Sequence, residues 1–340
     1  MQQQRILIVK RGAMGDILMA TPFLRQLRQN FPQAQIDFIT SSTFASTLID
    51  NPHLSKIIEF DDKFFSLKHI VTAIKYFFSL RHKYDYVFAL DKHYYFNFLI
   101  SLVGGVKIGY IREKISKLFL NKYVYYDDIN RYHGLYYLDL LSALGYNPNY
   151  NDLRLDFFID SQSPQTSDFL VNNKLDNYVV VVNSGGNNSF EQTGLRMLPQ
   201  DKIIQLLIHL LKTHKALLLG GNIDLAHYAN YTKLINSPNL YNLAGSLTLS
   251  DSAHILKLAT KIYTTDCGAM HLALSQQCQN KMVCFFGPTN PNHVLPPNSG
   301  ITIYWDDEDI YDPNYALKGT LPQKNINYFT KLNIIDVLKN

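Results

Sequence analysis

Four segments of this 340-residue chain hold residue types able to do chemistry, and each closes an apolar run. The first is Arg11-Gly12-Ala13-Met14-Gly15-Asp16. Its glycines allow backbone to approach a ligand, and the start of a helix presents open amides. It is not a dinucleotide fingerprint: the later glycines of G-x-G-x-x-G are missing, and no acid ends the next strand. Asp16 reads either as a helix cap or as a catalytic carboxylate. The second runs from Asn183-Ser184-Gly185-Gly186 to Leu195-Arg196-Met197-Leu198-Pro199. Small polar residues and an arginine before a helix suit a phosphate; the alternative is a surface loop.

The third segment is Tyr263-Thr264-Thr265-Asp266-Cys267-Gly268-Ala269-Met270-His271. Thr265 and the amides of 267–269 suit a diphosphate at a helix start. Asp266 reads alternatively as a cap, and His271 as core or phosphate donor. Cys267 invites a nucleophile reading, because a helix start lowers a thiol pKa. Nothing in the sequence supplies its base. The fourth, Phe285-Phe286-Gly287-Pro288-Thr289-Asn290-Pro291, reads as a rigid turn.

These segments need elements to hold them. Residues 5–10 (RILIVK) predict a buried strand, and the spacing over 17–27 predicts a helix that stops at Phe31-Pro32. A strand at 36–39 completes a βαβ unit. Further strands are predicted at 84–90 and 106–109, then a helical, aromatic region over 110–145. Composition shifts toward Pro and polar residues around 150–170, which places the interdomain segment there. The pattern then restarts, with strands at 178–183, 216–219, 261–264 and 282–286. Helices are predicted between them at 199–214, 225–236, 249–259 and 269–275. Alternating strands and helices predict an α/β fold with two parallel sheets, divided as 1–160 and 161–340.

Hydrophobic residues make up 46% and charged residues 18%, which excludes a disordered chain. The net charge of +4 is too small to argue for nucleic acid. Its distribution is uneven: residues 1–160 carry +4, residues 161–340 carry zero, and residues 63–131 alone carry +7. The basic stretch points to an anionic partner or to a solvated face. Three cysteines without metal spacing argue against a disulfide scaffold or structural zinc. The N-terminal apolar run is too short for a signal peptide, and the longest uncharged apolar run (94–106) falls short of a membrane span. The expected location is cytoplasmic.

In combination and in order, these segments resemble glycosyltransferase family 9, the lipopolysaccharide heptosyltransferases. The resemblance runs through RILIVKRGAMGDILMATPFLRQLRQNFPQAQIDFIT (5–40), LLLGGNIDLAHY (217–228), NLAGSLTLSDSAHILKLA (242–259), TTDCGAMHLAL (264–274) and FFGPTNP (285–291). Residues 60–160 match poorly. The resemblance implies a GT-B fold, with two Rossmann-like domains facing a central cleft. The N-terminal domain would bind acceptor and the C-terminal domain the nucleotide sugar, with the last helix able to pack back on the first domain. It implies inverting, metal-independent transfer of heptose from ADP-heptose to a Kdo/heptose acceptor of the lipopolysaccharide inner core, with no cofactor. Related transferases using another nucleotide sugar or a protein acceptor, and a non-catalytic binding protein, stay open.

Carried over by position, Asp16 would be the general base and Gly15 would keep the loop close to the acceptor. Ser184, Arg196, Thr265, Asp266, Cys267, Gly268 and His271 would line the donor site. Arg196 stands where the family has lysine in a K-x-W-P-like run, here Arg-Met-Leu-Pro without the tryptophan. Cys267 replaces the usual Ser or Thr. Lys107, Arg112 and Arg131 would contact an anionic glycolipid of the Kdo-lipid A type, with peripheral contact at the inner face of the bacterial inner membrane.

Overall fold

A computed structural model of the chain describes residues 3–127, 131–159, 163–186, 193–305 and 327–339. Chain contacts divide it into two units, Met1–Phe158 and Ile159–Asn340. In the first, β1 (Arg5–Val9) leads into α1 (Met14–Met19), α2 (Thr21–Asn30) and β2 (Gln35–Ser41). Then follow β3 (Lys56–Phe60), α3 (Ile70–Ser79), β4 (Tyr86–Ala89), α4 (Tyr94–Ser101), β5 (Val106–Ile111), β6 (Lys122–Tyr125) and α5 (His133–Ser142). All pairings are parallel, in the order β3-β2-β1-β4-β5-β6.

Two expectations for this unit need correction. The helix predicted over 17–27 is two helices. Pro22 has no N–H to continue the ladder of α1 and fits the first turn of a new helix, α2. The stretch predicted as helical over 110–145 contains the end of β5, a 3₁₀ turn at Lys114–Leu118, and β6 before α5 begins. Aromatic and β-branched residues in Lys122–Tyr125 favour a strand, which pairs Ile108 with Lys122 through Ile111 with Tyr125.

The second unit begins with α6 (Pro164–Asn172), inside the stretch read as interdomain. The Ser163 hydroxyl accepts from the Thr166 N–H and caps it. Next come β7 (Tyr178–Val182), α7 (Gln200–Leu210), β8 (Lys215–Leu218), α8 (Leu225–Ile235), β9 (Leu240–Asn242), α9 (Leu249–Leu258) and β10 (Lys261–Thr265). The unit ends with α10 (Gly268–Ser275), β11 (Met282–Phe286), α11 (Pro291–Val294), β12 (Thr302–Trp305) and α12 (Ile334–Val337). The parallel order is β12-β11-β10-β7-β8-β9. β7 and β11 are buried along their whole length, as strands covered on both faces must be. Ile334 and Val337 of α12 are buried in the second unit's own core, with α7.

Both sheets therefore follow one doubly wound order, in which the chain reverses direction beside the first strand of each unit. The reversal falls between β1 and β4, and again between β7 and β10. Ligands of open parallel sheets bind outside the carboxyl ends of the strands at such a switch point.

Candidate functional site

At the first switch point the chain leaves β1 through Lys10 and leaves β4 through Leu90 and Asp91. Parallel pairing sets Val9 beside Ala89, so residues 81 positions apart become neighbours. The Lys10 ammonium donates to Asp91 Oδ1 at 2.7 Å and stands 4.0 Å from Asp16 Oδ2. The Arg11 N–H donates to Asp91 Oδ2 at 2.7 Å. The Thr40 hydroxyl and the Ser41 N–H both donate to the Arg11 carbonyl, at 3.0 and 3.1 Å. A Cβ at Gly12 would lie 2.3 Å from the Phe44 ring, so any other residue there would have to displace that ring.

Asp16 is the third residue of α1, not its cap; Ala13 holds the cap position. Its Oδ2 accepts the Ala13 N–H at 3.3 Å, and its side chain is 36% exposed. The carboxylate is thus fixed in direction yet open to solvent. Lys10 is fully buried. Burial pulls its pKa down, but Asp16 and Asp91 outweigh that and hold it above the ordinary 10.5. The nearby Tyr137 phenol is pushed well up, first by burial and then by the two carboxylates. Gly15 adjoins Asp16 on α1, half-buried.

The acceptor residues expected from the resemblance separate. Arg112 directly follows β5 and lies at the same carboxyl edge. Lys107 is the second residue of β5, about 16 Å back along the strand, so the fold does not bring it to Asp16. Arg131 is held by Asp139, with N–O distances of 2.6 and 3.2 Å.

At the second switch point Ser184 follows β7, and Asp266 to Gly268 follow β10. The Thr265 hydroxyl accepts the Ser184 N–H at 3.1 Å and donates to the Ser184 carbonyl at 2.6 Å. It joins the end of β10 to the residue that follows β7. The Ser184 hydroxyl bonds the buried Asp224 carboxylate, which also takes the Gly221 N–H at 2.8 Å. Burial pushes the Asp224 pKa up, against those bonds and His227.

Arg196 Nη1 lies 3.1 Å from Asp266 Oδ2, and Asp266 is 3% exposed. Two features bring Arg196 there. The Asn183 side chain accepts the Leu198 N–H at 2.8 Å and donates to the Leu198 carbonyl at 3.1 Å, clasping the segment to the end of β7. A Cβ at Gly287 would lie 2.6 Å from the Leu195 carbonyl, so only glycine lets the segment approach. Residues 187–192 of the expected polar loop lie outside the described residues.

Cys267 caps α10 with its backbone, and its thiol packs inward against Thr264. Burial pushes the thiol pKa up to about 11, opposite to the lowering that a nucleophile needs. Gly268 and Ala269 are half-buried and hold the accessible start of α10, whereas His271 is buried on its first turn. Among the described residues, no group of three or more His, Cys, Asp or Glu is placed to hold a metal ion.

Sequence reasoning missed Lys10, Asp91 and Asp224. Lys10 directly follows β1 and Asp91 lies two residues beyond β4, which is the signal that could have found them; Asp224 lies deeper in the loop after β8.

Two like-ordered Rossmann-type units, one presenting a held carboxylate and the other a helix start with a buried Arg–Asp pair, define a GT-B-type protein. The model of glycosyltransferase family 9 (heptosyltransferase) matches residues 74–313, and the chain belongs to that family. Lipopolysaccharide heptosyltransferase 3 of Escherichia coli K12 is 25% identical over 181 residues, 49% of this chain and 50% of that protein. The chain thus spans half the length of that relative. Lipooligosaccharide heptosyltransferase 2 of Campylobacter jejuni is 24% identical over 286 residues, 83% of this chain and 81% of that protein. The solved structure of E. coli heptosyltransferase WaaC with ADP superposes with a TM-score of 0.69 at 19% identity, covering 99% of this chain and 98% of that one.

Proposed function

We propose that this protein transfers heptose from ADP-heptose to a Kdo/heptose acceptor of the lipopolysaccharide inner core, with inversion and without a metal. The carrying observation is Asp16. It is a directed, half-exposed carboxylate at the switch point of the first unit, in a chain of the heptosyltransferase family. ADP in the solved relative supports the donor class.

An acceptor hydroxyl attacks the anomeric carbon on the face opposite the diphosphate. The new C–O bond forms as the bond to the diphosphate oxygen breaks. Asp16 takes the hydroxyl proton as that bond develops. Lys10 and the Ala13 N–H keep the carboxylate in place. Negative charge grows on the departing diphosphate, and the amides at the start of α10 with Arg196 meet it. Asp266 fixes the guanidinium in direction. The base comes from the first unit and the donor site from the second. In this reading Arg112 is the acceptor contact retained from the sequence, Lys107 is withdrawn, and Arg131 serves mainly to order α5 through Asp139. A lipid-borne acceptor places the reaction at the inner face of the bacterial inner membrane.

The test is transfer itself, read by mass spectrometry of the acceptor and by ADP release. Heptosylated Kdo-lipid A should form only with both substrates present, and a chelator should leave the rate unchanged. Donor hydrolysis without transfer, or preference for a different nucleotide sugar, would contradict the proposal.

A further inference from the structure

We infer that the outward face of α3 docks on an anionic lipid bilayer. The inference rests on the proposed lipid-borne acceptor only for its purpose; its evidence is separate. α3 seats Ala73 and Phe77 in the core of the first unit. An ordinary surface helix would then turn polar residues outward. Here Val71 is 62% exposed and Phe78 53% exposed, with half-buried Ile74 on the same side at i, i+3 and i+7 spacing. The apolar arc therefore continues past the buried face onto the surface.

Cations frame it. From Lys63 to Tyr84 the chain holds five Lys or Arg and no Asp or Glu. Lys68, Lys75, Arg81 and Lys83 are all exposed, and the Arg81 guanidinium lies 5.4 Å from the Phe78 ring centroid. The same layer continues through α4 to the 3₁₀ turn at Lys114–Leu118, where Leu118 is 80% exposed between Lys117 and Lys122. Exposed aliphatic and aromatic side chains ringed by cations are the pattern of a helix lying in a headgroup region. A second copy of the chain is the poorer occupant, because its cations would face these. Among the described residues no helix is long and apolar enough to cross a membrane, so this surface would act by lying on one.

The experiment is flotation of the full chain with vesicles of phosphatidylcholine alone or mixed with phosphatidylglycerol. Binding should need phosphatidylglycerol and weaken as salt rises. The double substitution Val71→Ser, Phe78→Ser should lower the vesicle affinity by about tenfold. The same variant should keep its thermal transition and its transfer rate to a lipid-free acceptor oligosaccharide. Absence of flotation, or equal flotation of the variant, overturns the inference. So does a concentration-dependent dimer that the variant abolishes without any vesicle binding. A protein that floats as described but transfers no sugar to any acceptor supports the docking surface and sinks the catalytic proposal instead.

Discussion

In the first unit, the residues leaving β1 and β4 are charged and engaged with one another. Lys10 is buried beside Asp91 and within 4.0 Å of the half-exposed Asp16. In the second unit, the residues leaving β7 and β10 are small or turn their side chains onto backbone, apart from Asp266. Thr265 closes on Ser184, Cys267 points inward, and the ion pair of Arg196 with Asp266 is largely buried. Strand order is the same in both units. Topology thus selects where a ligand binds, and the residue types at that place select what happens to it. A solvent-open carboxylate steadied by a lysine suits proton removal, whereas a helix start beside a fixed guanidinium suits an anion.

The sharpest way to break this contrast is Asp16→Ala. It should lower kcat by about a hundredfold to ten-thousandfold, the range of a general base, while donor affinity stays unchanged. Near-native turnover would leave Asp16 as a helix-start residue only. Arg196→Ala attacks the other side. It leaves Asp266 buried without its cation, which should cost about 3 kcal/mol of stability in denaturant titration, together with donor affinity. Arg196→Lys should recover stability more than affinity, because lysine offers a point charge where guanidinium offers a fork. Equal donor binding by wild type and both variants would remove Arg196 from the donor site.

Lys10→Met is a smaller test within the first unit. It leaves Asp16 and Asp91 without the cation between them and should lower kcat by about tenfold, with donor affinity intact. The smallest expected effect is at Cys267. Because burial raises its pKa from 9.0 to about 11, the thiol stays protonated at neutral pH. Iodoacetamide at pH 8 should leave it unmodified in the folded protein, and Cys267→Ser should keep kcat within about twofold, since no thiolate is used. The sign also predicts an alkaline effect. The unfolded thiol ionises first, so the stability lent by the neutral thiol is full below pH 9 and falls as pH rises toward 11. The difference in stability between wild type and Cys267→Ser measured across that window checks it.

Much of this contrast was legible in the sequence because strands and their loops are local. A glycine loop ending in an acid marked Asp16, and the strand, turn and helix at 261–275 marked the start of α10. What stayed hidden was contact across the sheet. Lys10 and Asp91 meet only because β4 pairs with β1, and no spacing along the chain encodes that. Thr265 was read as a phosphate contact from its residue type, yet its hydroxyl closes on the Ser184 backbone. Lys107 and Arg112 looked equivalent as basic residues. Strand direction separates them, placing one near the amino end of β5 and the other at the carboxyl edge. The stretch 110–145 was misread because aromatic residues suit a helix face and an edge strand alike, and only the pairing of β6 with β5 decides between them.

The division of roles between the units is tested most directly by thermal unfolding of wild type and Asp16→Ala with ADP-heptose and a panel of other nucleotide sugars. At about a hundred times Kd, bound donor adds about 2.7 kcal/mol, enough to raise the transition by several degrees. The expected result is equal protection of both proteins by ADP-heptose and little by uridine or guanosine nucleotide sugars. Loss of protection in Asp16→Ala, or stronger protection by another nucleotide sugar, would contradict it.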